Sequence, residues 1–242
     1  MKEQVSVALP VYNGAQYLRE QLDSILLQLE PQDELVIAYQ ASQDDSMSIL
    51  EEYQQRDSRL RVIQNPVGGI TSNFNLAISH CSGDYIFISD QDDVWTKGKR
   101  GSCIKALKES DAQLVIHNAI HTDASLIPHK QSFFEIYPIG PGKWKNIKKP
   151  RMSGCCMAFT KAFQKKLLPI PEIYGYDQWI AVLAEFTGKI TYLDEILLLH
   201  RLHGENSTST TRRLDIIIKC RTKLLFNLFL RLIRLRTGGD GI

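Results

Sequence analysis

The sequence has no apolar run approaching the roughly 18 uncharged residues that a bilayer-crossing helix needs. Its five cysteines, Cys81, Cys103, Cys155, Cys156 and Cys220, include no CxxC pair. An odd count without that spacing argues against a disulfide framework and predicts reduced side chains in a cytoplasmic protein. Met1-Lys2-Glu3-Gln4 leads directly into an apolar segment, with no signal-peptide pattern. Internal repeats and low-complexity stretches are absent. So is a Gly-rich, basic phosphate loop after the first apolar segment, which reads Val11-Tyr12-Asn13-Gly14. That absence weighs against a nucleotidyltransferase. No nucleic-acid-binding module is recognisable, so no nucleic-acid partner is expected.

What is present suits one large α/β unit with an appendage. The chain has 242 residues and is 43% hydrophobic. Its net charge of +2 hides a division, because residues 212–236 hold eight Lys and Arg against one Asp. The preceding body is mildly acidic and the tail is strongly basic. Apolar runs at Val5–Leu9, Leu35–Ala38, Leu60–Ile63 and Tyr85–Ser89 read as strands. Amphipathic stretches at Ala15–Leu29, Met47–Arg56 and Thr71–His80 read as helices between them. This order predicts a mostly parallel, doubly wound sheet with helices on both faces. The loops Val11–Gly14, Tyr39–Ser46 and Asp90–Val94 then share one edge, where ligands bind in such sheets. Further on, Lys99–Ser110 and Tyr176–Thr187 read as helices. Leu114–His117, Cys155–Phe159, Ile190–Leu193 and Ile196–Leu199 read as strands. Residues 122–150 carry four prolines and two glycines and read as a long loop. The expected units are 1–211, with halves 1–118 and 119–211, and a helical tail in 212–242.

The densest chemistry lies in Asp90-Gln91-Asp92-Asp93, at the end of a strand and before Trp95, Lys97, Lys99 and Arg100. Three carboxylates so close repel one another unless a hard cation or a cationic substrate sits between them. The plain alternative is a solvated acidic turn that caps a helix.

Six segments in order carry a resemblance. Val7-Ala8-Leu9-Pro10-Val11-Tyr12-Asn13-Gly14 resembles the opening strand and loop of family 2 glycosyltransferases. Asn65 to Asn73-Phe74, with Gly68 and Gly69 between, resembles their Asn-x-Gly…Asn-Phe segment. Asp90-Gln91-Asp92-Asp93-Val94-Trp95 is similar to the DxD motif of the bacterial rhamnosyltransferase-like branch. Ser153-Gly154-Cys155-Cys156-Met157-Ala158-Phe159 resembles its acceptor-side strand. Tyr176-Asp177-Gln178-Trp179 stands where that branch has His-Asp-Trp-Trp. His200-Arg201-Leu202-His203-Gly204-Glu205-Asn206 resembles its Tyr-Arg-x-His-x-x-Asn.

The resemblance implies a GT-A fold and inverting transfer from a UDP- or dTDP-sugar, with Mn2+ or Mg2+ as cofactor. Asp92, with Asp90 and His203, is expected to hold the metal. Pro10, Tyr12, Asn13, Gln40, Asn73, Asp90 and Arg201 are expected to meet the donor, and Asp177 to act as the base. Trp95, Gly154 and Trp179 are expected on the acceptor side. Each reading has its plain counterpart: surface positions for His203 and Arg201, a helix N-terminal residue for Asp177, core positions for both tryptophans. The implied activity is transfer of a single rhamnosyl, galactosyl or glucosyl unit to a glycan or lipid-linked glycan in cell-surface polysaccharide synthesis. The Gln-x-x-Arg-Trp signature of processive synthases is absent.

The sequence departs from the family at Tyr39-Gln40-Ala41-Ser42-Gln43-Asp44-Asp45-Ser46, where Asp-Asp-Gly-Ser-x-Asp is usual. Both early carboxylates are missing; Gln40 retains hydrogen-bonding capacity without charge. His117-Asn118 likewise stands in place of Ser-Asp. This motivates the competing reading, a non-catalytic descendant that binds a glycan or a partner protein. The tail mixes apolar and basic residues. It fits a helix lying on an anionic membrane face, which would make the protein peripheral on the inner surface, or a helix packed on the domain with its charges solvated.

Overall fold

The computed structural model describes residues 3–148, 152–173, 175–203 and 214–238. Strands β1 (Val5–Val11), β2 (Glu34–Tyr39), β3 (Leu60–Gln64) and β4 (Tyr85–Ile88) alternate with helices α1 (Ala15–Leu26), α2 (Ser46–Arg56) and α3 (Ile70–Ser79). These strands pair in parallel in the order β3-β2-β1-β4. The inner strands β1, β2 and β4 are mostly apolar and buried because both faces are covered, while Arg61 and Gln64 of the edge strand β3 are exposed. Val7, Leu9, Leu35 and Ile37 pack with Leu18, Leu22 and Ile25 of α1 on one side. Ala8, Val36 and Ala38 pack with Phe74, Ala77 and Ile78 of α3 on the other.

Beyond β4 the sheet becomes mixed. A two-residue strand β5 (Val94–Trp95) and helix α4 (Lys99–Ser110) precede β6 (Leu114–Thr122). Next come β7 (Pro128–Ser132), α5 (Phe133–Ile136) and α6 (Lys143–Lys148). Strand β8 (Met157–Thr160), helices α7 (Lys161–Leu167) and α8 (Tyr176–Thr187), strand β9 (Ile190–Arg201) and helix α9 (Leu214–Arg236) complete the chain. Strand β8 inserts antiparallel between β4 and β6, β9 runs parallel to β6, and β5 closes the edge antiparallel to β9. One sheet thus runs through both halves of the body.

Several sequence expectations are corrected. The stretch expected to be a structureless loop contains β7, α5 and α6. The start of α5 is fixed by reciprocal hydrogen bonds between Ser132 and Glu135, a capping box. Gly154–Cys156 forms a 3₁₀ turn, so the strand begins only at Met157. Cys155 and Cys156 lie in that turn, and both are buried. The two short C-terminal strands are one strand, β9, with register shifts against β6 at Asn118. Helix α7 had no counterpart in the sequence reading.

Helix α9 packs on the body through Leu224 and Leu228, both buried. Arg231 donates to the carbonyls of Lys166, Leu167 and Pro169. Ile218, Phe226, Phe229, Leu230 and Ile233 face outward. No described helix is long and apolar enough to cross a membrane.

Candidate active site

The acidic loop sits where β4 ends, and its backbone is held from below. Gln21 Nε2 of α1 donates to Ser89 Oγ at 2.7 Å and to the Asp90 carbonyl at 2.6 Å. Trp95 Nε1 donates to the same Ser89 Oγ at 3.0 Å. These bonds fix the loop so that three carboxylates leave it within four residues.

Asp92 Oδ2 lies 2.8 Å from His203 Nε2, and both side chains are mostly buried. The His203 ring leans on Tyr17 with centroids 4.9 Å apart. Asp93 is fully buried, and its Oδ1 accepts from the Arg201 N–H at 3.1 Å. Asp90 Oδ1 faces the Tyr176 hydroxyl at 3.5 Å. Burial, then the charges of Asp93 and Asp92, push Asp90 up to about 8, and the Asp177 charge adds to the effect. Burial and the Asp92 charge push Asp93 up to about 7, against the Arg201 N–H and the Cys155 thiol. Unscreened, this loop resists full ionisation. A divalent cation among these groups would remove that resistance.

Asp177 is the second residue of α8. Its Oδ1 accepts from the Gln178 N–H at 2.7 Å. Gly175, at φ 88°, turns the chain into the helix in a conformation that disfavours a side chain. Tyr176 stacks on Phe74 with centroids 4.1 Å apart, which places α8 over the β4 end. Gly154 lies beneath that ring: a Cβ there would sit 2.6 Å from Tyr176 Cε2. Gly154, expected on the acceptor side, makes room for Tyr176.

The opening loop is tied to its neighbours by backbone contacts. Gln91 Oε1 accepts from the Tyr12 N–H at 2.8 Å, and Gln91 Nε2 donates to the Tyr12 carbonyl at 3.0 Å. A Cβ at Gly14 would lie 2.5 Å from Gln91 Oε1. Asn13, at φ 48°, accepts from the Gln43 N–H, and its own N–H donates to Ser42. Tyr12 is half exposed at the edge, while Pro10 pairs with Ala38 inside the sheet. Gln40 Oε1 accepts from the Gly69 N–H at 2.8 Å and from Asn73 Nδ2 at 3.2 Å. Asn73 is buried and also accepts from Asn65. Gln40 and Asn73 therefore brace the Gly68–Gly69 turn, and Tyr39, whose hydroxyl accepts from Ser42 N–H, is buried.

Three further expectations change. Trp95 and Trp179 are both buried and expose no face to a sugar. Trp95 packs on Phe87 and under Lys99 Nζ, and Trp179 under Arg231. Arg201, expected at the phosphates, is only 2% exposed. Its guanidinium donates to the Asp92 carbonyl at 2.9 Å, to the Ala124 carbonyl and to Glu20, and stacks over Tyr17 at 4.4 Å. It fixes the acidic loop from behind. The basic cluster after the loop is also structural. Lys99 is buried, with Nζ 2.8 Å from the Cys155 carbonyl, and Arg100 pairs with Asp33 at 2.6 Å. The sequence reading also missed Gln91, Gln21 and Tyr176, although Gln91 sits inside the acidic run itself. Asn206 lies outside the described residues.

Known proteins share the family and the fold of this chain. The family model for Glycosyl transferase family 2 matches residues 6–168. Glycosyltransferase GlyG of Streptococcus pneumoniae is 34% identical over 126 residues, covering 52% of this chain and 42% of that protein. Chondroitin synthase of Pasteurella multocida is 25% identical over 219 residues, covering 84% of this chain and 21% of that protein. The chain thus spans less than half the length of either relative. Among solved structures, S. aureus TarS 1-349 in complex with UDP-GlcNAc superposes with TM-score 0.72 at 19% identity, covering 93% of this chain and 67% of that one. The mannosyltransferase PcManGT from Pyrobaculum calidifontis, in complex with GDP-Man and Mn2+, superposes with TM-score 0.64 at 19% identity, covering 100% and 66%. The fold is that of GT-A glycosyltransferases.

Proposed function

The chain belongs to glycosyl transferase family 2, and from that membership we propose that it transfers a single sugar with inversion from a UDP- or dTDP-sugar to a glycan or lipid-linked glycan. Within the family we place it in the rhamnosyltransferase-like branch, in cell-surface polysaccharide synthesis. The observation that carries the reading is the Asp92–His203 pair on the acidic loop, with Asp177 close enough for its charge to act on Asp90.

Asp92 and His203 are the residues that would hold Mn2+ or Mg2+. Their oxygen and nitrogen donors can ligate such an ion, and the crowding of Asp90 and Asp93, raised by burial and then by neighbouring carboxylates, supports a cation there. When bound there, such an ion would neutralise charge growing on the departing diphosphate. Asp90, beside the Tyr176 hydroxyl, meets the ribose or a water. Asp177 accepts the proton of the acceptor hydroxyl as that oxygen bonds to the anomeric carbon and the sugar–phosphate bond breaks. The Gln178 N–H, donating to Oδ1 at 2.7 Å, orients the carboxylate. Tyr12 and Asn13 line the donor edge, while Gln40 and Asn73 shape it through the Gly68–Gly69 turn.

The outward apolar residues of α9, with Lys219, Lys223 and Arg236 on the same helix, support peripheral contact with an anionic membrane face. The competing reading, a non-catalytic binding protein, rests on the missing carboxylates of the Tyr39–Ser46 loop. A panel of nucleotide sugars assayed with and without manganese separates the two. Manganese-dependent release of nucleoside diphosphate from at least one donor is expected. No turnover together with no donor binding would establish the non-catalytic reading.

A further inference from the structure

Beside the Asp92–His203 pair lies a second group of ligand atoms of a different character. A carboxylate oxygen of Asp93, the sulfur of Cys155 and a ring nitrogen of His200 all lie within 4.8 Å of one another. Asp93 and Cys155 are fully buried and His200 is partly buried. The carboxylate is not used up by the fold. Its Oδ1 serves the Arg201 N–H, while its buried Oδ2 receives no N–H or O–H among the described residues, and the weak Cys155 thiol is the other group acting on the carboxylate. A fully buried polar oxygen in that state is uncommon and points to a ligand.

One nitrogen of the imidazole is already engaged. His200 Nδ1 lies 3.3 Å from His121 Nδ1, and His121 Nε2 lies 3.3 Å from the Tyr137 hydroxyl. With Nδ1 taken by His121, Nε2 is the nitrogen left for a cation. His200 Nδ1–H then donates to His121, whose Nε2–H donates to Tyr137. Burial and the neighbouring His200 and His129 lower His121 to about 4, so it stays a neutral acceptor. This is the outer arrangement that metal-bound histidines use.

We propose that Asp93, Cys155 and His200 form a second cation site, selective for zinc-like ions and separate from the manganese or magnesium pair at Asp92 and His203. Sulfur, imidazole and carboxylate together match zinc and cobalt, whereas manganese and magnesium prefer oxygen. Tetrahedral zinc needs ligand atoms roughly 3.3–3.8 Å apart, given bonds of about 2.0–2.3 Å. The side chains need to close by about an ångström from their present spread. Three protein ligands leave a fourth position for water. The site would join the acidic loop, the Gly154–Cys156 turn and the end of β9. It does not depend on the glycosyl-transfer reading.

The test is a Co2+ titration of the folded chain, followed by its thiolate-to-cobalt charge-transfer absorption. The band is expected to saturate near one equivalent in the parent protein. It is expected unchanged in Asp92→Ala and Cys156→Ser, and lost in Cys155→Ser. His121→Phe is expected to weaken cobalt affinity by about 10–100-fold, the range for loss of an orienting partner. A folded parent protein that shows no thiolate band at saturating cobalt would overturn the proposal and leave a thiol–carboxylate contact only. So would a band that survives Cys155→Ser or disappears in Asp92→Ala. If Cys155→Ser does not fold, X-ray absorption of the cobalt-loaded parent decides: one sulfur in the coordination shell supports the site, and a shell of only nitrogen and oxygen overturns it.

Discussion

Gln91 satisfies both backbone groups of Tyr12, accepting from its N–H at 2.8 Å and donating to its carbonyl at 3.0 Å. This pair locks the opening loop to the acidic loop, so the residues that would meet a nucleotide and those that would hold a cation move together. Gln91→Ala removes both bonds at a partly exposed position. It is expected to cost about 1 kcal/mol in urea unfolding and to raise the donor KM with kcat nearly unchanged. An unaltered KM would show that the two loops keep their places without it.

Gly154→Ala tests the close approach of Tyr176. The added methyl meets the ring, so Tyr176 must leave Phe74 and Asp90. Overpacking of this kind costs about 1–3 kcal/mol. Turnover is expected to fall with it, because α8 carries Asp177. Wild-type melting and turnover would mean that the ring has room to retreat.

The raised carboxyls set a pH dependence. Asp90 and Asp93 are shifted from 3.8 to about 8 and about 7, first by burial and then by neighbouring carboxylates. Between about pH 4 and pH 8 the folded chain therefore holds protons that the unfolded chain releases. Their contribution to stability is full below that window and lost as pH rises through it. A cation favours the ionised forms, so the gap in Tm between manganese and EDTA should widen from about pH 5 to about pH 8. Asp90→Asn should flatten the EDTA limb. A gap independent of pH would show that these carboxyls do not face the ion.

Asp177→Asn keeps size and the bond from Gln178 N–H but accepts no proton. Turnover is expected to fall by about 10²–10⁴-fold, the range for loss of a general base, with donor affinity nearly unchanged. Equal turnover would place the base elsewhere.

The alternating first half and the acidic loop were legible because buried parallel strands and amphipathic helices leave periodic apolar patterns. The insertion of β8 between β4 and β6 was not, since antiparallel insertion depends on contacts between distant segments. Residues 122–150 looked like a loop for their prolines and glycines, yet Pro128 opens an edge strand, where its missing N–H costs little. At the site, the sequence named Asp92 and His203 together, and the two side chains meet at 2.8 Å, but what surrounds them was not legible. Arg201 read as a donor contact or a surface residue, and its burial against the Asp92 carbonyl, like that of Lys99 against the Cys155 carbonyl, follows from the tertiary packing alone. Gln40 read as a contact for the nucleotide base, and its turn toward Gly69 appears only once α3 is in place.

The central claim is tested most directly by the calorimetric affinity of UDP with manganese and with EDTA, for the parent chain and for Asp92→Ala. The account predicts binding to the parent that depends strongly on manganese, and no manganese dependence in a folded Asp92→Ala. Equal affinity of the parent with and without the metal would contradict it.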